Sequence, residues 1–259
     1  MQVFKLVRNV VSATAVLLAV ISPAARATAQ EKIKTVLLIH GAWADGSSWS
    51  KVVPLLEAKG MNVVAVQIPL TSFADDVAAT QRAIALADGP VLLVGHSYGG
   101  AVITEAGNDP KVAGLVYVSA VAPDKGESTL GLITSVQTPI GSELRPDSSG
   151  FLKLTSKGVA EDFAQDLSAK EIAVLTATQV PASVGAMKGE VTTPAWKSKP
   201  SWYIIAAHDR AISPDLEAAQ AKRIGATTTT VPSSHVIMLA QPSKVADVIF
   251  DAASKGSSK

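Results

Sequence analysis

The chain has 259 residues, 47% of them apolar and 17% charged, with a formal net charge of +1. That composition excludes a disordered polyelectrolyte and allows one large domain or two small ones. There is no cysteine, so disulfides, thiolate nucleophiles and cysteine-ligated metals are excluded.

Residues 1–29 read as a signal peptide. Lys5 and Arg8 give a positive start, Val10 to Ile21 is a short apolar core, Pro23 breaks it, and Ala27-Thr28-Ala29 is an A-x-A cleavage site. A membrane anchor would need about 20 apolar residues, more than this run supplies. The expectation is cleavage near Ala29 and export, to a periplasm or beyond, of one domain spanning 30–259, with no stable membrane anchor. Cleavage removes Lys5, Arg8 and Arg26 and no acid, so the formal charge falls from +1 to −2. A slightly acidic domain without a Lys/Arg cluster is a poor nucleic-acid binder.

Thr35 to Ile39 is a buried strand running into His40-Gly41-Ala42-Trp43. Ser48 to Lys59 reads as a helix stopped by Gly60, and Asn62 to Ile68 as the next strand. Ser72 caps a helix through about Ala87, with Asp75 and Asp76 in the first turn, where the helix dipole favours acids. Val91-Leu92-Leu93-Val94 then forms a strand apolar on both faces, ending in Gly95-His96-Ser97-Tyr98-Gly99, with a helix from about Ala101.

Val112 to Ser119 is a further strand. From about Ala122 to Pro200 the strand pattern lapses into helical stretches, Val159 to Leu167 and Ser168 to Thr178, punctuated by prolines. A long insertion between two sheet strands is expected to be a helical lid. Alternation resumes with the strand Ser201 to Ala207, a helix starting at Ser213-Pro214-Asp215 and ending at Lys222-Arg223, the Thr-rich strand Ala226 to Val231, and a helix from Pro242 to Ser254. The series predicts an α/β fold: about six mostly parallel strands, helices on both faces, and right-handed connections. His40, Ser97, Asp209 and His235 each follow a strand, which places all four at the carboxyl edge where such sheets bind ligands.

Gly95 to Gly99 has the G-x-S-x-G spacing of a nucleophile elbow. The tight strand-to-helix turn strains the serine backbone, and the flanking glycines keep Cβ atoms out of the way. A serine hydroxyl needs a base, and the base needs an orienting acid. Of four histidines, His235 is the one that follows both serine and acid in the order Ser, acid, His. His40 and His208 read as structural or facing away, and His96 as packing or hydrogen-bonding locally. For the acid, Asp209 is favoured, with Asp124 as its rival. The oxyanion that attack creates needs two backbone N–H groups, those of Tyr98 and Ala42.

On His40-Gly41-Ala42-Trp43, Gly95 to Gly100, His208 to Ile212 and Ser234 to Leu239, the chain resembles the α/β-hydrolase fold over roughly 35–252. Among its members it is most similar to the small esterases related to plant methylesterases and hydroxynitrile lyases. The resemblance implies Ser97, Asp209 and His235 as triad and Ala42 and Tyr98 as oxyanion donors. It also implies a six-stranded sheet. The lyases carry a lysine directly after the base histidine; Val236 stands there in this chain, which argues for hydrolysis. The expected function is a secreted serine hydrolase, a carboxylesterase working through an acyl-enzyme on a small-molecule ester, with no metal or organic cofactor. The same triad used for C–C bond hydrolysis or perhydrolysis is the alternative within the fold; a non-catalytic ligand-binding homologue is the alternative outside it.

Overall fold

A computed structural model describes residues 32–256. The signal-peptide reading of 1–29 lies outside the described residues.

Strands β1 (Thr35–Ile39), β2 (Asn62–Val66), β3 (Val91–His96), β4 (Val112–Val118), β5 (Leu144–Pro146), β6 (Phe151–Leu154), β7 (Ala182–Ser183), β8 (Ser201–Ala206) and β9 (Thr227–Val231) fall into two sheets. The larger has six strands in the order β2-β1-β3-β4-β8-β9, and every neighbouring pair is parallel. Every residue of β1, β3 and β8 is buried, because helices cover both faces; hence their unbroken apolar runs. The edge strands β2 and β9 are half exposed and read as weaker patterns.

The helices are α1 (Val53–Glu57), α2 (Phe73–Leu86), α3 (Gly99–Ala106), α4 (Thr129–Thr134), α5 (Ser156–Gly158), α6 (Ala169–Thr178), α7 (Val184–Lys188), α8 (Pro214–Arg223), α9 (Ile237–Ala240) and α10 (Pro242–Gly256). Ser72 caps α2 as expected, its side chain accepting the Asp75 N–H. α10 buries Val245, Ala246, Ile249, Ala252 and Ala253, a stripe of helical period that seats it on the sheet. No described helix is long and apolar enough to cross a membrane.

Two expectations change. The single helix expected over Ser48 to Lys59 is a 3-10 turn, Gly46–Trp49, followed by α1. Pro54 lies in the first turn of α1; lacking an N–H, it is tolerated at a helix start and would break a helix running through it. The insertion between β4 and β8 carries more than helices: β5, β6 and β7 form a three-stranded antiparallel sheet with β6 in the middle. In β6, buried Leu152 and Leu154 alternate with more exposed Phe151 and Lys153, a period-2 signal too short to stand out in sequence.

Candidate active site

β3 ends at His96, and Ser97 turns the chain into α3 with φ of +52°. That is left-handed backbone, costly for a residue with a side chain and held only by its surroundings. The Ser97 N–H donates to the Val118 carbonyl of β4 at 3.2 Å, and the Ser97 carbonyl accepts from Gly100 at 3.0 Å and Val121 at 3.2 Å. A Cβ at Gly95 would sit 2.5 Å from the Gly99 carbonyl oxygen, and one at Gly41 would sit 2.7 Å from the Cβ of Ser97. Gly95 is therefore required by close approach of backbone to backbone, and Gly41 by the side chains of Ser97 and His96 packed against it.

His235 lies past the carboxyl end of β9, and Asp209 past that of β8. Their side chains meet at 2.6 Å, Nδ1 to Oδ2, with both residues buried. The other carboxylate oxygen of Asp209 accepts the backbone N–H groups of Ala211 at 2.7 Å and Ile212 at 2.9 Å. Asp209 is thus fixed on both oxygens, and in a neutral ring it directs the His235 proton to Nδ1, leaving Nε2 as the basic nitrogen. Nε2 is buried and has no hydrogen-bond partner among the described residues, a geometry common in resting sites, where the bond to the nucleophile tightens on substrate binding. Asp124, the rival acid, is paired with Lys197 at 2.5 Å and is not the partner of the imidazole.

The remaining histidines are structural or exposed, as expected, but the hydrogen bond of His96 is long-range. The His40 ring accepts the Ile68 N–H at 3.2 Å through Nε2, and its Nδ1 donates to the Gly41 carbonyl at 2.9 Å; burial lowers its pKa, and it serves the loop. His208 is exposed, facing away as read. His96 does not bond locally. Its Nε2 donates to the backbone carbonyl of His235 at 3.0 Å, 139 residues away in sequence, and the two rings lie 4.7 Å apart. Burial, with the neighbouring His235 adding to it, holds the His96 pKa well below the usual value, so the ring is a neutral strut under the loop that carries His235.

Two further groups are invisible in the sequence pattern. The first is the segment after α5. Val159–Phe163 forms a π-helical turn, and the Phe163 ring packs against that of His235, centroids 5.0 Å apart and planes tilted by 50°. Past it, Asp166 accepts the Ser233 hydroxyl at 2.9 Å and the Ser234 N–H at 2.7 Å. Gln165 donates to the His208 carbonyl at 2.7 Å, and Arg210 donates to Asp162 at 2.7 Å. One short segment therefore holds the loops of both Asp209 and His235. The second is Asp76, expected only to favour the dipole of α2. It is fully buried and accepts the Tyr98 hydroxyl at 2.6 Å and the Leu70 N–H at 2.7 Å. Burial raises its pKa to about 6, against the lowering effect of those two donors.

Ser97, His235, Ala42 and Tyr98 all line one cavity of about 390 Å³. Among the described residues neither the Ala42 nor the Tyr98 N–H donates to a protein acceptor. Most of the cavity wall comes from the insertion, including Leu130, Ile133, Val136, Ile140, Leu144 and Met187, and no aspartate, glutamate, lysine or arginine contributes to it. A serine hydroxyl on strained backbone, an imidazole bonded to a carboxylate and two unengaged amides beside an apolar chamber are the groups that acyl transfer requires.

Comparison with known proteins agrees with that architecture. The model of the alpha/beta hydrolase family matches residues 36–248. A pyrethroid hydrolase of Sphingobium wenxiniae is 29% identical over 251 residues, covering 85% of this chain and 87% of that protein. Salicylic acid-binding protein 2 of Nicotiana tabacum is 26% identical over 256 residues, covering 86% of this chain and 98% of that protein. The crystal structure of a pyrethroid hydrolase from Sphingobium faniae superposes with a TM-score of 0.76 at 24% identity over 85% of this chain and 97% of that one. That of polyneuridine aldehyde esterase superposes with a TM-score of 0.71 at 21% identity over 86% of this chain and all of that one. At those identities the superpositions speak for the fold.

Proposed function

Since this chain belongs to the alpha/beta hydrolase family, we propose that it is a serine hydrolase of carboxylic esters, with Ser97 as nucleophile, His235 as base and Asp209 as the acid that orients it. The observation that carries this reading is the 2.6 Å pair of His235 and Asp209 beside a strained Ser97 on the wall of the same cavity. Relatives named as esterases and hydrolases support the same reaction class.

In the proposed reaction, His235 Nε2 takes the Ser97 hydroxyl proton as Oγ attacks the ester carbonyl. The oxyanion is met by the N–H groups of Ala42 and Tyr98. Collapse expels the alcohol, protonated by His235, and leaves an acyl-Ser97. Water, deprotonated by His235, then attacks the acyl carbonyl and releases the carboxylic acid. No step uses a metal or organic cofactor. The chamber bears no ionised carboxylate, ammonium or guanidinium on its wall, so the substrate is a small neutral ester, apolar on both sides of the bond. A charged ester would be desolvated there without a counter-ion.

The test is hydrolysis of a neutral p-nitrophenyl ester together with labelling by a fluorophosphonate. Wild type turns over the ester and is labelled at Ser97; Ser97→Ala does neither. Equal turnover by both would overturn the assignment of Ser97. The export reading is part of the same proposal, and N-terminal sequencing of protein from the native host should begin at Gln30.

A further inference from the structure

Behind the pair formed by Asp209 and His235 lies a second carboxyl. Glu217, on α8, has no exposed surface. Its Oε2 accepts the Ala206 N–H at 3.2 Å. Its Oε1 is buried and has no hydrogen-bond partner among the described residues, and the carboxyl that bears on this side chain is that of Asp209. Two ionised carboxylates in contact, away from water, repel one another strongly, so such a pair holds one proton.

The donors decide which carboxyl holds it. Asp209 receives three, from Ala211, Ile212 and His235, at 2.6 to 2.9 Å. Glu217 receives one, at 3.2 Å. Among the described residues, Glu217 also acts on the Tyr203 phenol, whose hydroxyl is committed to the Ala120 carbonyl. No cation pairs with Glu217 among the described residues. Burial, and then the charge of Asp209, push the Glu217 pKa well above the usual carboxylate range. The unpaired Oε1 is explained once it carries the proton, for it then donates to Asp209.

We propose that Glu217 is a neutral carboxylic acid that donates a hydrogen bond to Asp209, and that it is a positioning residue for the triad. The proposal rests on the assignment of Asp209 and His235 given above. By sharing its proton with the Asp209 carboxylate, Glu217 fixes that carboxylate in place. It also tempers the charge that Asp209 presents to the imidazolium formed during catalysis. A glutamine at 217 keeps a neutral donor of nearly the same shape; a leucine keeps volume and removes the donor.

The experiment compares wild type, Glu217→Gln and Glu217→Leu by infrared difference spectroscopy at pH 8 and by the pH profile of kcat/KM on a neutral ester. Wild type should show the carbonyl band of a protonated, buried carboxylic acid, shifted in D2O and missing from E217Q. The acid-side midpoint of kcat/KM should stay within about 0.3 unit in E217Q and rise by roughly 0.5–1 unit in E217L, where Asp209 loses its donor and holds the imidazolium more firmly. Absence of the band overturns the proposal. So does a fall of the midpoint in E217Q, which would mean that the mutation removed a negative charge. An unmoved midpoint in E217L would make Glu217 merely structural. If E217L does not fold, the band and the E217Q profile still decide. Because the band needs no turnover, its loss is distinguishable from failure of the triad assignment, which Ser97→Ala tests.

Discussion

The carboxylate of Asp166 accepts the backbone N–H of Ser234 at 2.7 Å and the hydroxyl of Ser233 at 2.9 Å. An insertion residue thereby holds the loop immediately before His235. Asp166→Ala removes both bonds and leaves the Ser234 N–H buried without an acceptor, at a stability cost of about 1–3 kcal/mol. A loosened base loop should lower kcat by roughly 10- to 100-fold, with a smaller change in KM. Asp166→Asn retains one oxygen able to accept from both donors and should recover most of the loss. Steady-state kinetics beside thermal melts check this; a kcat unchanged in D166A would mean that the loop keeps its place without the insertion.

Gly41 stands where a methyl group would lie 2.7 Å from Cβ of Ser97 and 3.0 Å from Nδ1 of His96. Neither neighbour can yield easily, since Ser97 sits on strained backbone and His96 supports the His235 carbonyl. Gly41→Ala should therefore destabilise by about 1–3 kcal/mol and lower kcat at least ~10-fold by displacing Ser97, the proposed nucleophile. Wild-type labelling by fluorophosphonate in a folded G41A protein would contradict it.

What could be read in sequence divides along physical lines. The buried strands β1, β3, β4 and β8 are continuous apolar runs, and their ends carry His40, Ser97 and Asp209, so strand prediction and site prediction came from one signal. The elbow was legible because its geometry permits few residues at Gly95 and Ser97. The order Ser, acid, His singled out His235 and favoured Asp209 over Asp124, while the bond of Asp209 to His235 and the ion pair of Asp124 with Lys197 are visible only in the fold. Nothing local marks Asp166, Asp76 or Glu217. Each is an ordinary helical or loop acid until the fold supplies its partner: Ser234 for Asp166, which stays exposed, Tyr98 for the buried Asp76 and Asp209 for the buried Glu217. The short strands β5 to β7 hold too few residues for a period to emerge.

Asp209 receives the Ala211 and Ile212 N–H groups on one oxygen and His235 on the other. Asp209→Asn keeps an acceptor and a similar volume, but its NH2 group presented to Nδ1 favours the tautomer with the proton on Nε2, the nitrogen that must be basic. The expected loss in kcat is about 10⁴-fold with KM little changed. A loss under tenfold, in a variant whose melt matches wild type, would remove Asp209 from the proposed triad.

Asp76 gives a pH-dependent prediction of stability. Its folded pKa is raised to about 6 by burial, above the value of an unfolded aspartate near 3.9. The folded state therefore binds its proton more tightly than the unfolded one, and the contribution of Asp76 to stability falls as pH rises from about 4 to about 6. Asp76→Asn does not titrate, and with one oxygen for two donors, Leu70 N–H and Tyr98 Oη, it loses a buried hydrogen bond at every pH. The variant should be less stable than wild type at pH 4, and its deficit should narrow by an amount on the order of 2 kcal/mol by pH 7. Urea titrations of both proteins at pH 4, 5, 6 and 7 measure this. A deficit that widens with pH would mean that the carboxylate, held by its two donors, is the favoured form in the fold. Since Tyr98 also supplies a proposed oxyanion N–H, the same variant should lower kcat about 3- to 10-fold at pH 7, a loss that follows the phenol rather than the charge of the carboxylate. Tyr98→Phe separates the two: it removes the phenol bond, leaves Asp76 bonded to the Leu70 N–H, and should reproduce the loss in kcat while keeping the pH dependence of stability.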